Sequence, residues 1–521
     1  MKNNIAIIGS GLTSLVATKR LLEKNMNVTI IDVGRVLPTE INNYVLNASR
    51  YEPSEWSKDL RNKLTKNNTI KSLNIPKKLL FGSEFVFNDI LNGINHKSSK
   101  VDANPTFAKA GYSNIWGAAM LPAHHQDLSS WPPITRKLND HYKKVLRDIP
   151  LTGTFDKLNK IFPEFKEKID YLEISNKSDF IYKNLNKHFL NNNFLCSKSR
   201  LAVNTKGANG CKFCGLCLSG CPYNSIYSSK NEFDRLIEDK KIKYINNAFV
   251  ESYSESNELV EVTYHDLETK KNKKIKFNKI FIAAGALSST LIYLKSNKIY
   301  NKRVKFIDSQ KYIFPIFTPK GFDTDIKNQN ALCDLFVDFK FSKIFQYWNH
   351  IQISDINDWV IQKLKISSFS SIKYKFYKPL LKRLAIGWGG LHSNISNNFY
   401  LVLIDKNSYN ILGESKFRIK LYIFILLIYL FFKNLSKRII FFPFFITSKI
   451  GGGCHYGGSI PMKLKPKNEF ESDTLGRPYK HANVHFIDST IFPSIPSTTL
   501  ALLTMANADR IICHTFETED T

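Results

Sequence analysis

Three groups of residues in this chain have types and spacings that can do chemistry. The first is GGGCHYGG, Gly451–Gly458, a loop of small residues presenting one imidazole, His455. An imidazole, with a pKa near ~6.5, takes and returns a proton around neutral pH. The second is GCKFCGLCLSGCP, in which Cys211, Cys214, Cys217 and Cys221 precede Pro222. Four of the eight cysteines fall within eleven positions there. Their C-x₂-C-x₂-C-x₃-C-P spacing is that of [4Fe–4S] ligands in bacterial ferredoxins. Zinc suits the run less well, because structural zinc sites use two separated ligand pairs. No second run exists for the fourth cysteine to serve, and a Cys- and Gly-rich turn that only packs is the competing reading. The third group is Gly9-Ser10-Gly11-Leu12-Thr13-Ser14 with Asp32 some twenty residues on.

The elements around the third group give it meaning. IAIIG reads as a buried strand, the segment after Gly11 as a helix, and VTIID as a second strand ending in Asp32. Gly9 and Gly11 let backbone approach a pyrophosphate, which sits on the positive end of the helix. Asp32 accepts hydrogen bonds from a ribose hydroxyl, and Ser14 is small enough for close helix packing. In KAGYSNIWGAAMLPAHHQDLSSWPPI, 109–134, the small residues around Trp116 suit a tight loop laid against a flat aromatic ligand, and 131–204 reads as a mostly helical insertion. KIFIAAGALSSTLIYL is a strand, a small-residue turn and a helix. ALCDLFVDFKF and YWNHIQISDI suggest a sheet, with His350 as a structural residue of it. The closing stretch HFIDSTIFPSIPSTTLALL supplies a short strand ending in Asp488, a Pro- and Ser-rich turn and a helix.

In this order the motifs resemble those of the glucose–methanol–choline (GMC) oxidoreductases and similar flavoproteins, along nearly the whole chain. The resemblance implies FAD. It places Gly111, Ser113, Asn114, Trp116 and Gly117 along the isoalloxazine and pyrophosphate, Val250 at the adenine, and Ala284 and Gly285 against the cofactor. Asp488 and Ser489 would touch the flavin's ribityl or pyrophosphate region. His455 matches the imidazole that removes the hydroxyl proton of an alcohol while hydride passes to flavin N5. The family's second catalytic position, His or Asn, falls near Thr499, and threonine cannot act as a second base. Either His455 works alone, or a partner comes from elsewhere, or the reaction is not a simple alcohol oxidation. The implied fold is α/β. A Rossmann-like FAD-binding domain (1–130, 205–299 and 448–521) is interleaved with a mixed sheet-plus-helix substrate domain (131–204 and 300–447).

The implied activity is oxidation of a CH–OH group on a sugar, polyol or other alcohol; if the cysteine run holds a cluster, electrons would leave through it to a protein or quinone. The alternatives are an oxygen-using alcohol or sterol-type oxidase and a non-catalytic flavoprotein or electron carrier. Bulk composition agrees with a folded protein, at 43% hydrophobic and 13% aromatic residues over 521 positions. The net charge of +29 favours an anionic partner. No zinc-finger or RNA-binding pattern accompanies it, so nucleic acid is not expected. Only four residues precede the first apolar run, so no signal peptide is read and a cytoplasmic protein is expected. LYIFILLIYLFF, 421–432, is too short to span a bilayer, which takes ~20 residues. It reads either as a buried helix or as an interfacial anchor that would hold the protein on the inner membrane face.

Overall fold

The computed structural model describes residues 4–65, 78–87, 95–162, 165, 170–187, 193–256, 258–323, 329–341, 346–357, 372–416 and 418–517. Its centre is the βαβ unit read from the N-terminus. β1 (Asn4–Ile8) is buried after its first residue and leads into α1 (Leu12–Glu23) and β2 (Asn27–Ile31). β3 (Lys243–Ile245), β4 (Lys279–Ile282) and β5 (Val484–Phe486) complete a five-stranded sheet in the order β5-β4-β1-β2-β3. All its neighbours are parallel, with Ile5 opposite both Val28 and Lys279. Such a sheet needs helices on its faces, and α1, α2 (Ala286–Ser296) and the C-terminal helix supply them.

A second, antiparallel sheet is built from strands far apart in sequence. Lys311–Phe317 pairs with Leu384–Gly390, and beyond these lie Asn349–Ser354, Leu335–Phe339 and Phe194–Lys198. The last of these is a strand within the stretch expected to be mostly helical, which also carries helices Asn139–Arg147, Lys157–Ile161 and Asn176–Lys187. A further five-stranded sheet joins Asn95–Ser99 and Tyr456–Gly457 to Val304–Asp308, Asn398–Asp405 and Ser408–Glu414. It therefore draws on both sets of expected domain segments.

The apolar run forms α3 (Ile419–Leu435), which is neither wholly buried nor wholly free. Ile423, Leu426, Leu427 and Leu430, at helical spacing, pack on Tyr312, Phe314, Val337 and Ile351 of the antiparallel sheet. Each such burial is worth about 1.5–3 kcal/mol. Leu421, Phe424, Ile425 and Phe432 face outward. No helix among the described residues is long and apolar enough to cross a membrane.

The C-terminal helix α4 (Ala501–Glu517) packs against α1 and the helix Asn139–Arg147. A buried charge fixes that contact. Asp509 accepts from Arg20 Nε at 2.5 Å and from His141 Nδ1 at 2.6 Å, and Arg20 also reaches Asp148 at 2.8 Å. Burial alone would raise the Asp509 pKa, but the His141 and Arg20 hydrogen bonds bring it below its usual value. Removing one partner of such a group strands the others. Asp509→Ala is expected to cost about 3–5 kcal/mol in denaturant unfolding; a loss under about 1 kcal/mol would show that the clamp is dispensable.

Candidate functional site

A cavity of about 550 Å³ runs between the parallel sheet and the antiparallel sheet. Three helices begin on it: Leu12 and Thr13 of α1, Ala286 and Leu287 of α2, and Ala501 of α4 all line its wall. Neither Gly11 nor Gly285, the residues before α1 and α2, offers a side-chain cap. The first N–H groups of those helices are thus left for an anion, where the helix dipole is also positive. Gly9 has φ +96°, and a Cβ there would lie 2.7 Å from the Ala283 carbonyl oxygen. At Gly11, Gly117 and Gly285 a Cβ would meet nothing within 4 Å. Those three glycines also line the cavity, so bare backbone forms its wall. This is a cradle suited to a long, flat dinucleotide.

Asp32 lines the cavity where a ribose is expected. Its carboxylate accepts from the hydroxyls of Ser10 and Tyr244, the latter at 2.8 Å. Burial raises its pKa to about 6 despite those bonds. The Gly111–Asn114 segment is a single 3₁₀ turn, held by Asn114 Nδ2 donating to the carbonyls of Lys109 and Gly111 at 2.8 and 2.7 Å. Gly111, Ser113, Trp116, Gly117, Val250, Ala284 and Ser489 line the cavity. Asn114 and Ser14 do not. Asn114 shapes the turn, and fully buried Ser14 lies behind the cavity wall. Asp488 reaches the wall, but its oxygens already serve the protein. They accept from Gly285 N at 3.0 Å, Ser289 Oγ at 2.5 Å and Thr490 N at 2.9 Å.

His455 projects from a turn that glycine makes feasible. Gly451 has φ +75°, and Cys454 also adopts the left-handed region. Gly457 lies so close to Ser489 that a Cβ would be 2.1 Å from its carbonyl oxygen. The His455 carbonyl accepts from Ser309 N at 2.9 Å. Its ring lines the cavity, and Nδ1 is buried without a hydrogen-bond partner. Burial, then the charges of Lys311 and His350, hold its pKa well below the usual imidazole value. The imidazole is therefore held neutral, with Nδ1 shielded from solvent. Thr499 also lines the cavity, but its hydroxyl is occupied, accepting from Leu121 N at 3.1 Å and donating to Leu121 O at 3.2 Å.

The structure adds cavity residues that the motifs did not mark as functional: His350, Gln352 and Lys311. His350 Nδ1 lies 3.1 Å from Asp338 Oδ1, and its Nε2 lies 3.3 Å from the Gln352 amide nitrogen. Burial acts to raise the Asp338 pKa, yet the His350 charge and the hydrogen bonds from His124 and His350 bring it to about 2. That carboxylate fixes the ring, as orienting groups do for catalytic imidazoles.

The four cysteines are reduced and surround a separate small pocket with Tyr223, Asn330 and Leu332. Each sulfur accepts a backbone N–H: Cys211 from Phe213, Cys214 from Leu216, Cys217 from Ala331 at 3.4 Å and Cys221 from Ser225 at 3.2 Å. Burial pushes the Cys214 thiol up to about 12. Among the described residues, no three of these sulfurs come within 4.8 Å of one another. One zinc ion, with Zn–S near ~2.3 Å, would need them closer. Lys78 lines the large cavity and feels the charges of Cys217 and Cys221.

A parallel sheet whose cavity opens against an antiparallel sheet is the fold found in GMC-type oxidoreductases. The solved structure of pyridoxine 4-oxidase from Mesorbium loti shares it, with a TM-score of 0.60 over 99% of both chains at 9% identity. That likeness concerns the fold alone. No family model matches the sequence, and no curated protein matches it.

The cradle makes a direct prediction. Gly9→Ala should lose at least about tenfold in flavin affinity, because its Cβ would push on the Ala283–Ala284 backbone that walls the cavity, while the unfavourable φ costs ~1–2 kcal/mol of folding stability. Flavin absorbance after gel filtration checks it, and undiminished retention would contradict the cradle.

Proposed function

We propose that the protein is an FAD-dependent dehydrogenase of CH–OH groups. The observation that carries this reading is His455, a neutral imidazole with an unpartnered buried nitrogen, in the same cavity as the Gly9–Thr13 turn. The shared cavity also favours an enzyme over a non-catalytic carrier. The pyrophosphate would rest on the N-terminus of α1, the ribose on Asp32, and the flavin along Gly111–Gly117. FAD, when bound, supplies an electron-poor N5 that accepts hydride. The protein's own residues do the rest. His455 takes the hydroxyl proton as the alcohol becomes a carbonyl. His350, whose Nδ1 is held by Asp338 and Nε2 by Gln352, brings a second imidazole to the cavity, where the Thr499 hydroxyl is tied to Leu121.

The cysteine pocket supplies a route for the electrons. Four reduced sulfurs in this spacing, each with an N–H donor, suit a [4Fe–4S] cluster. Half-buried Lys78 would offset its negative charge. This favours transfer to an external protein or quinone over direct use of dioxygen. The structural neighbour is named an oxidase, which supports a second reading. Peroxide formed in step with alcohol consumption would decide for it. The substrate is a sugar, polyol or other small alcohol.

His455→Ala should keep FAD but slow its anaerobic reduction by alcohol more than about 100-fold in stopped flow, the usual range for a lost general base. Undiminished reduction would remove His455 from the chemistry. Anaerobically purified protein should contain about four irons and four acid-labile sulfides per chain and give an electron paramagnetic resonance signal on reduction. Cys217→Ser should lose that signal while keeping the flavin. Iron-free protein that still passes electrons to a quinone would contradict the cluster.

A further inference from the structure

Lys311 sits at the substrate end of the cavity with His455, His350 and Gln352. Two glycines make room for it. Its stem passes Gly453, two residues before His455, where a Cβ would lie 2.7 Å from Lys311 Cγ. Its register partner across the antiparallel sheet is Gly390, where a Cβ would lie 2.7 Å from Lys311 Nζ. Any side chain at either position would displace the ammonium from the cavity wall.

The ammonium has little to hold inside the protein. Its one hydrogen bond is a long one, 3.4 Å to Ser309 Oγ, and no carboxylate among the described residues pairs with it. Asp308, the acid whose charge acts on Lys311, spends one oxygen on Gly451 N at 2.8 Å, and burial drives its pKa up to about 7. A half-buried cation in a low-polarity cavity with no ion pair loses hydration without compensation. That cost is recovered when an anion arrives, and it is the arrangement by which buried lysines bind carboxylates and phosphates. Lys311 also acts on the base: its charge helps to depress the His455 imidazole. Both groups therefore face the same small volume.

We propose that the substrate is an alcohol carrying an anionic group, a carboxylate or phosphate, close to the reacting carbinol, and that Lys311 receives that group. This rests on the reading of the cavity as an alcohol-oxidising site and names the substrate class for it. A neutral polyol would leave the ammonium unpaired and would be bound less well.

Binding can be measured without turnover. Holoenzyme is titrated by calorimetry with glycolate, with its neutral amide glycolamide and with inorganic phosphate, while flavin absorbance is followed in parallel. Saturable binding of glycolate or phosphate, at least tenfold weaker in Lys311→Met and retained in Lys311→Arg, with no such dependence for glycolamide, supports the proposal. Which anion binds more tightly distinguishes a carboxylate from a phosphate substrate. Absence of saturable anion binding overturns it, as does binding that Lys311→Met leaves unchanged. A Lys311→Met variant with an altered flavin spectrum but unchanged anion affinity also overturns it, placing the charge on the flavin instead. Calorimetry needs no flavin, so protein lacking FAD would fail the dehydrogenase reading while the anion site is still tested.

Discussion

The structure depends on one constraint: the uncapped N-termini of α1 and α2, together with the start of α4, must face a cavity walled by bare backbone. Open N–H groups are costly when buried without partners. An anion at the N-terminus of α1 satisfies them and gains from the helix dipole. Glycine is required because a Cβ at Gly9 would run into Ala283, and a Cβ at Gly11, Gly117 or Gly285 would enter the space itself. The rest of the fold holds these helices at fixed angles. The Arg20–Asp509–His141 clamp does so for α1 and α4, and Asp488 does so by accepting from Gly285 N at the start of α2.

The electrostatics of the cavity follow from burial. The His455 imidazole is pushed towards neutrality, and Lys311 and Lys78 are each drawn down to about 8. Lys311 and Lys78 stand in different relations to the chemistry, one beside the base and the other beside the cysteine pocket. Low polarity makes each charge matter more than it would at a surface.

Much of this was legible in the sequence. The βαβ unit, the glycine turn and the closing strand-turn-helix are local patterns, because the residues that must approach the cofactor neighbour each other in the chain. The cysteine spacing was legible for the same reason. Asn114 was expected along the cofactor and instead shapes the turn behind the cavity wall, since sequence marks a turn but not which way its side chains point, whereas Ser14 is buried as close helix packing requires. His350 and Lys311 were not legible as cavity residues. His350 lies in a strand that reads as ordinary sheet, and its partner Asp338 comes from a different strand. Lys311 depends on Gly390 and Gly453, both distant in sequence, for room. The apolar 421–432 run gave its helix but not its two faces, because only the antiparallel sheet decides which side is covered.

The central claim is that the Gly9–Thr13 turn and the His455 loop serve the two ends of one flavin. A crystal structure of the FAD-bound protein tests it most directly. The account predicts the pyrophosphate on the N-terminus of α1 and flavin N5 facing the His455 ring across a gap that an alcohol carbon can fill. An isoalloxazine bound away from the Gly451–Gly458 loop, or no flavin in the cavity, would contradict it.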